Sequence, residues 1–264
     1  MTDAAVPLFT QKLGPLGLDV APAGEKTFEE LVEEYSSRLE ANKGPVHINC
    51  MTTMAECRAA ILAARGKGCG PVWVSWGCDE EGESFTGVHM LAALFVSEGM
   101  GAAAFGLNCP EELALKLLAE YAPYAEVPFF YVKDGEVIPY AYEVSEKDPD
   151  VIPCATGKVA SFVNRTVDVG EEIPCGPDLL EDIIAAEDDP VGAVKIVIME
   201  PDDVDIFAEQ QYAVEEALCL WSDVPELLEA ALRVYQGRAF YDGTGDLERS
   251  VLERLIDTYG LIVL

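Results

Sequence analysis

The stretch Gly101-Ala-Ala-Ala-Phe-Gly-Leu-Asn-Cys-Pro-Glu-Glu112 decides how the fold of this chain is interpreted. Its apolar run, residues 102–107, ends in Asn108 and Cys109, and a helical segment follows from Pro110. The pattern predicts a buried parallel strand that delivers a thiol to its carboxyl end, where α/β folds place their chemistry. A cysteine there favours metal or thiol chemistry. The alternative is a structural cysteine, because free cysteines are among the most buried residues in proteins.

Short apolar strands alternate with helical patterns on both sides of that stretch. Eight strands are predicted, at residues 46–50, 72–76, 102–108, 128–132, 194–199, 218–221, 239–241 and 261–264. This alternation predicts an α/β fold with an all-parallel sheet, because right-handed crossovers allow little else. Eight units in this length favour closure into a (βα)8, TIM-barrel-like ring. No helix follows the last strand, and a leading helix predicted at 28–42 could cover that position.

Three segments stand outside the simple alternation. Residues 1–25 are rich in Pro and Gly and show no period, so we expect a lead-in that packs on the body or frays. Residues 158–167 are predicted as a helix. Residues 170–177 are predicted as a turn-rich piece that contains Cys175.

Length and composition bound the domain organisation and the compartment. With 264 residues, half of them hydrophobic, the chain can bury one large core, and two smaller domains would also fit. We predict a single barrel-like domain over residues 1–264. No apolar run reaches the ~18 residues of a membrane span, and no secretory signal is recognisable. The eight scattered cysteines favour a reducing cytoplasm.

The charge balance bears on the partners. The chain has 48 acidic residues against 17 Lys and Arg, a net charge of −31. Such a surface repels phosphate backbones, which need clustered cations, so we expect no nucleic-acid partner. It favours solubility and a basic protein partner, or it reflects a salty or acidic habitat.

Several motifs resemble the homocysteine S-methyltransferase family. They lie at residues 52–64, 71–75, 87, 105–109 and 127–128, and Gly-Leu-Asn-Cys at 106–109 is the most specific. Residues 218–238 and 246–264 are similar to the first half of the pterin-binding barrel of methionine synthase. The resemblance implies a hybrid barrel, in which a homocysteine-methyltransferase-like half at 28–140 joins a pterin-domain-like half at 190–264.

In that family three cysteines hold a zinc ion, which binds the substrate thiol and lowers its pKa. The resemblance assigns the first ligand to Cys109 and places a second at Cys175, where Pro174 replaces the family's adjacent cysteine. A third ligand would come from one of three other cysteines, Cys50, Cys78 or Cys154. The alternative for Cys175 is a loop thiol beside a proline turn.

Other positions concern the substrate. Ser75 and Asn108 lie at strand ends where the family lines its substrate pocket, so the resemblance implies substrate binding. Capping of the following loop is an equally good interpretation of both. In the pterin-like half, Trp221 and Asp242 stand where the family has the Asp and Asn that hydrogen-bond the pterin. His47 is predicted as a satisfied core histidine.

Two functions from different classes follow. The first is zinc-assisted methyl transfer involving a small thiol such as homocysteine, with a corrinoid or folate supplied only through a partner. The second is a catalytically degenerate barrel that binds a corrinoid protein or a small ligand. A third arrangement, two separate α/β lobes, predicts a protease-sensitive link between residues 134 and 157.

Overall fold

A computed structural model describes residues 16–20, 26–40, 42–50, 52–142, 148, 150–187 and 192–264. The chain divides into two compact units, the first unit at 1–147 and the second unit at 148–264. Their boundary falls inside the stretch 134–157 that the two-lobe arrangement predicts as a link. A single domain made of two half-barrels can also divide at such a boundary, so the domain organisation stays a prediction.

The first unit is a six-stranded sheet with helices between its strands. Strands β1 to β5 are mutually parallel, and β6 pairs antiparallel with β5. The strands are β1 Leu16–Val20, β2 Val46–Cys50, β3 Val72–Trp76, β4 Ala104–Leu107, β5 Phe129–Lys133 and β6 Glu136–Tyr140. The helices are α1 Phe28–Arg38, α2 Met54–Gly66, α3 Met90–Gly99 and α4 Glu111–Tyr121.

Local sequence explains where the first two helices begin. The Thr27 hydroxyl accepts a hydrogen bond from the Glu30 amide, and the Glu30 carboxylate accepts one from the Thr27 amide. Thr53 and Glu56 form the same reciprocal capping box at the start of α2. Both boxes satisfy amides that no carbonyl of the helix can reach.

The two faces of the six-stranded sheet differ. Along β2, alternate residues point to opposite faces, and Val46, Ile48 and Cys50 are fully buried. Cys57 of α2 contacts Cys50, so this face packs against the helices. His47 and Asn49 point to the other face, which also carries a small cluster of Trp73, Ala104 and Phe130.

The second unit contains a five-stranded parallel sheet and an antiparallel hairpin. The sheet order is β13-β12-β11-β10-β9, and the hairpin pairs β7 with β8. The strands are β7 Ile152–Ala155, β8 Ala160–Val163, β9 Val169–Pro174, β10 Ala193–Val197, β11 Leu218–Trp221, β12 Phe240–Tyr241 and β13 Ile262–Val263. The helices are α5 Leu179–Glu187, α6 Pro201–Gln210, α7 Pro225–Val234 and α8 Arg249–Tyr259.

The hairpin packs on one face of the five-stranded sheet. Cys154 and Val163 of the hairpin share a buried cluster with Ala193, Cys219 and Phe240 of the sheet. The hairpin thereby covers apolar side chains that the sheet would otherwise expose to water. Burial of this kind contributes roughly 25 cal/mol per Å² of apolar surface.

The α/β class is confirmed, and each of the eight predicted strands is present. The prediction of all-parallel pairing was wrong for β6 and for the β7–β8 hairpin, which pair antiparallel. The described strands belong to three hydrogen-bonded sheets, so a closed TIM-barrel ring is not shown and stays a prediction. Among the helices of the described part, none combines the length and apolarity that crossing a bilayer requires.

Three predictions of local structure were wrong. The helix expected at 158–167 is strand β8 with its turns, and the turn-rich piece at 170–177 contains strand β9. The Thr156 backbone amide donates to the Val159 carbonyl at 2.9 Å, and residues 160–163 pair antiparallel with β7, so this segment turns back as a hairpin and does not continue as a helix. Within the expected lead-in, residues 16–20 form β1, and the remainder of 1–25 lies outside the described residues.

Candidate active site

The predicted site residues of the first unit lie at or just beyond the carboxyl ends of adjacent parallel strands. Ser75 is in β3 and is fully buried. Asn108 and Cys109 follow β4 and are half-buried. The Asn108 backbone N–H donates to the Trp76 carbonyl at 2.7 Å, which continues the hydrogen bonding between β3 and β4 by one residue. The backbone therefore holds these side chains at the edge where α/β folds bind ligands.

A hydrogen-bonded group, here called the amide network, joins Asn49 to Ser75 and Asn108. Asn49 Oδ1 accepts from Ser75 Oγ at 3.1 Å and from Asn108 Nδ2 at 3.0 Å. Asn49 Nδ2 donates to Asp19 Oδ1 at 3.1 Å. These contacts join four neighbouring strands through one central amide. The predicted pair Ser75 and Asn108 is thus brought together by a residue between them.

His47 extends the amide network toward the interior of the sheet. Its Nε2 lies 2.8 Å from Ser75 Oγ. Because the Ser75 hydroxyl gives its one proton to Asn49, His47 must donate from Nε2. Burial lowers the pKa of His47, although the charge of Asp19 acts in the opposite direction. The imidazole ring lies edge-on to the Phe130 ring, with 5.4 Å between the two ring centres. The prediction of a satisfied histidine agrees with these contacts.

Cys109 lies beside a second thiol, Cys78. Trp76 and Leu107 are register partners in β3 and β4, and Cys78 and Cys109 each follow two residues later. The two thiols lie close enough for a side-chain hydrogen bond between them to shift the pKa of each. We call these two residues the thiol pair. Both are half-buried free cysteines.

The hydrogen bond gives the two thiols different acidities. The bond from Cys78 lowers the pKa of Cys109, although burial acts to raise it. The pKa of Cys78 is raised by the same hydrogen bond, by burial, and by the negative charges of Cys109 and Asp79. Cys78 is therefore the proton donor and Cys109 the sulfur with more thiolate character, which is the nucleophilic and metal-binding form.

Cys175 follows β9 in the second unit and has a different environment. Burial, with a contribution from the charge of Asp203, raises its pKa to about 12. Its backbone amide donates to the Val197 carbonyl at 3.3 Å. Because Cys109 and Cys175 belong to different units, their shared role as zinc ligands stays a prediction.

Within the described residues, a set of three zinc ligands is not grouped in one place. Zinc sites that bind a substrate generally use three protein ligands. The thiol pair supplies two sulfurs, and across the described ranges no three or more His, Cys, Asp or Glu side chains are grouped to hold a metal ion.

In the second unit, Lys195 of β10 lies in a cluster of charged side chains. Its Nζ lies 2.9 Å from Glu172 Oε1 and 2.9 Å from Asp242 Oδ2. The ammonium group also lies 5.5 Å from the ring centre of Trp221. Although burial acts to raise it, hydrogen bonds from Lys195 and Thr244 hold the pKa of Asp242 below its usual range. This cluster pairs its charges internally.

The sequence interpretation missed two features. Cys78 was one of three candidates for a further ligand, and its position just beyond a predicted strand, as for Cys109, was the signal that could have singled it out. Asn49 has the same position in strand 46–50 as Ser75 has in strand 72–76, which was the signal for it, whereas its hydrogen bonds to Asp19, Ser75 and Asn108 depend on the strand register.

Comparison with known proteins gives one informative match. A sequence profile described as homocysteine S-methyltransferase matches residues 5–168, more than half of the chain. Among curated proteins, none matches significantly.

Two solved structures show weak similarity. A C2-type ketoreductase from a modular polyketide synthase is 11% identical, with 95% of this chain and 55% of that chain covered and a TM-score of 0.27. The first ketoreductase of the tylosin polyketide synthase is 12% identical, with 92% and 62% covered and a TM-score of 0.27. The chain thus spans less than two thirds of either protein. At these TM-scores neither similarity supports an argument about fold or function.

Proposed function

We propose, because this chain belongs to the homocysteine S-methyltransferase family, that it transfers a methyl group to or from a small thiol such as homocysteine. The observation that supports the proposal is Cys109 at the carboxyl end of β4, where a hydrogen bond from Cys78 lowers its pKa. The family's most specific motif, Gly-Leu-Asn-Cys, supplies this residue. We also propose that the chain forms a closed hybrid (βα)8 barrel related to methionine synthase.

The amide network is suited to binding a polar small molecule. Amide and hydroxyl groups can exchange their mutual hydrogen bonds for bonds to a ligand at little net cost. Asn49, Asn108 and Ser75 offer such groups near the thiol pair, at the same ends of β2, β3 and β4. We therefore propose that Ser75 and Asn108 bind the substrate together with Asn49.

Zinc assistance is part of the proposal as an expectation about ligands. Cys109 and Cys175 would be two of them, and zinc would lower the pKa of the substrate thiol. The described residues hold no group of three or more metal-binding side chains, so they do not complete the family's three-thiolate set. We derive no step through the metal. The methyl donor, a corrinoid or a folate, would come from a partner protein.

The test is methyl transfer by the purified full chain. Homocysteine is supplied with methylcobalamin as the donor probe, methionine is measured by mass spectrometry, and bound zinc is measured in the same samples. We expect Cys109→Ser to lose methionine formation and bound zinc. Cys69→Ser is the matched control, because Cys69 lies in the turn between α2 and β3, at the other ends of the strands. Full activity in Cys109→Ser would overturn the proposal.

A second candidate function is binding without catalysis. It is favoured by the two-sulfur arrangement, which falls short of the three ligands of a catalytic zinc site. In this case homocysteine binds by calorimetry, no methionine forms, and the chain folds normally in chelator. A corrinoid protein would then be the partner to test by co-purification with the chain.

A further inference from the structure

The first unit contains two pairs of contacting thiols, and they differ in access. Cys50 and Cys57 contact each other with no exposed surface. Cys78 and Cys109 contact each other and are both partly exposed. Only the second of these pairs can therefore meet a small molecule from solvent without unfolding of the surrounding structure.

The backbone places the thiol pair just beyond two adjacent parallel strands, whose spacing matches that of a disulfide. Both cysteines stand two residues beyond the register partners Trp76 and Leu107 of adjacent parallel strands. Neighbouring strands lie about 4.8 Å apart, and disulfides join Cα atoms about 4.4–6.8 Å apart. A bond between the two sulfurs therefore fits without a large backbone movement.

We propose that Cys78 and Cys109 form a reversible dithiol–disulfide couple that exchanges with small-molecule disulfides. The thiolate of one cysteine attacks a disulfide RSSR, so a protein–SR bond forms, the RSSR bond breaks, and RS⁻ leaves. The other cysteine loses its proton to solvent and attacks the protein sulfur of that mixed disulfide. The Cys78–Cys109 bond forms and a second RS⁻ leaves. Two protein thiols are oxidised and one disulfide is reduced to two thiols.

The charge around the thiol pair selects the class of disulfide. The segment that follows Cys78 carries four carboxylates, Asp79, Glu80, Glu81 and Glu83. They repel anions, and the chain as a whole carries a net charge of −31. Cationic and neutral disulfides should therefore react faster than anionic ones, and salt should reduce the difference by screening.

The experiment uses the reduced full chain at mildly alkaline pH, with three probes. They are cystamine, which is cationic, hydroxyethyl disulfide, which is neutral, and oxidised glutathione, which is anionic. Peptide mapping by mass spectrometry without reduction should show one cross-link, Cys78 to Cys109, that dithiothreitol reverses. The rates should fall in the order cystamine, hydroxyethyl disulfide, glutathione disulfide, and should converge in high salt.

Variants separate exchange from nonspecific oxidation. Cys78→Ser and Cys109→Ser should each retain a stable mixed disulfide on the remaining cysteine, whereas Cys69→Ser should still form the cross-link. A wild-type chain that stays as a mixed disulfide, or that cross-links other cysteines, overturns the couple. Equal rates for the cationic, neutral and anionic disulfides overturn the proposed class of disulfide. If a variant does not fold by circular dichroism, the wild-type peptide map decides. Failure of methyl transfer would leave these outcomes unchanged, because the inference does not rest on the proposed function.

Discussion

The two units place different chemistry toward the carboxyl ends of their parallel strands. In the first unit, Asn49 connects its neighbours through hydrogen bonds between mainly neutral groups. In the second unit, Lys195 is held between two carboxylates, and its side chain is only 8% exposed. The first arrangement has partners that a ligand can replace. In the second, each carboxylate is already paired with the single ammonium group.

This difference assigns separate roles to the two regions. Neutral hydrogen bonds exchange with water or ligand at a net cost of about 1 kcal/mol. Removal of one partner from a buried ion pair costs about 3–5 kcal/mol, because the remaining charge is uncompensated. We therefore assign ligand binding to the amide network and thiol pair, and a structural role to the cluster around Lys195.

The largest expected effect comes from Lys195→Met. The change leaves Asp242, whose side chain is 13% exposed, without its counter-ion. The free energy of unfolding of the second unit should fall by about 3–5 kcal/mol. Urea unfolding by circular dichroism, with hydrogen exchange measured in β10 and β12, checks the size and the place of the loss.

The matched control for that variant is Glu172→Gln, on the other side of Lys195. The Glu172 side chain is 63% exposed, and solvent screens exposed pairs, so the loss should be about 1 kcal/mol or less. Equal losses in the two variants would contradict a structural role centred on the bond between Lys195 and Asp242.

A second prediction concerns the packing beneath the amide network. A Cβ at Gly106 would overlap the ring of Phe130, which contacts His47. Gly106→Ala should therefore lower the free energy of unfolding by about 1–3 kcal/mol. Gly66→Ala is the control, because Gly66 ends α2 with open space around it and should gain up to about 1 kcal/mol. Unchanged stability in Gly106→Ala would show that Phe130 moves freely and does not orient His47.

A third prediction tests the acidity of the thiol pair. Cys78→Ala removes the hydrogen bond that lowers the pKa of Cys109. The thiolate fraction of Cys109 at neutral pH should fall, and its alkylation by iodoacetamide should slow several-fold. At alkaline pH, where the Cys109 thiol is fully ionised in both proteins, the two alkylation rates should converge. Mass spectrometry of the Cys109 peptide measures the alkylation rate at each pH. The same pH dependence in Cys78→Ala and wild type would contradict an effect of Cys78 on the pKa of Cys109.

The elements that the sequence predicted best are those set by local physics. Strands β2, β3 and β11 have the predicted bounds, because continuous apolar runs between helical patterns leave few alternatives. The leading helix begins at Phe28 as predicted, because its start depends on Thr27 and Glu30, which lie only three residues apart. Cys109 at a strand end followed from the same apolar run that defines β4.

The features that escaped prediction depend on contacts distant in sequence. The sequence predicts a helix where strand β8 lies, because the few apolar residues there fit either period and only the pairing with β7 decides. Asn49 meets Asn108 across 59 positions. Its role depends on the register of β2 against its neighbours, and a one-residue shift would turn it to the opposite face.

The smallest expected effect is a pH dependence from His47. Burial lowers the pKa of His47 below its ordinary value of 6.5. As pH falls, the unfolded chain therefore takes up this proton before the folded chain does, and the native state loses stability from about pH 6.5 downward. His47→Gln keeps an Nε2 donor for Ser75 but cannot titrate. Its free energy of unfolding should accordingly fall less than that of the wild type between neutral pH and pH 5. Urea unfolding at both pH values measures the difference. Parallel losses in the two proteins would show that His47 can gain a proton inside the amide network, and the contrast with the charged cluster of the second unit would no longer hold.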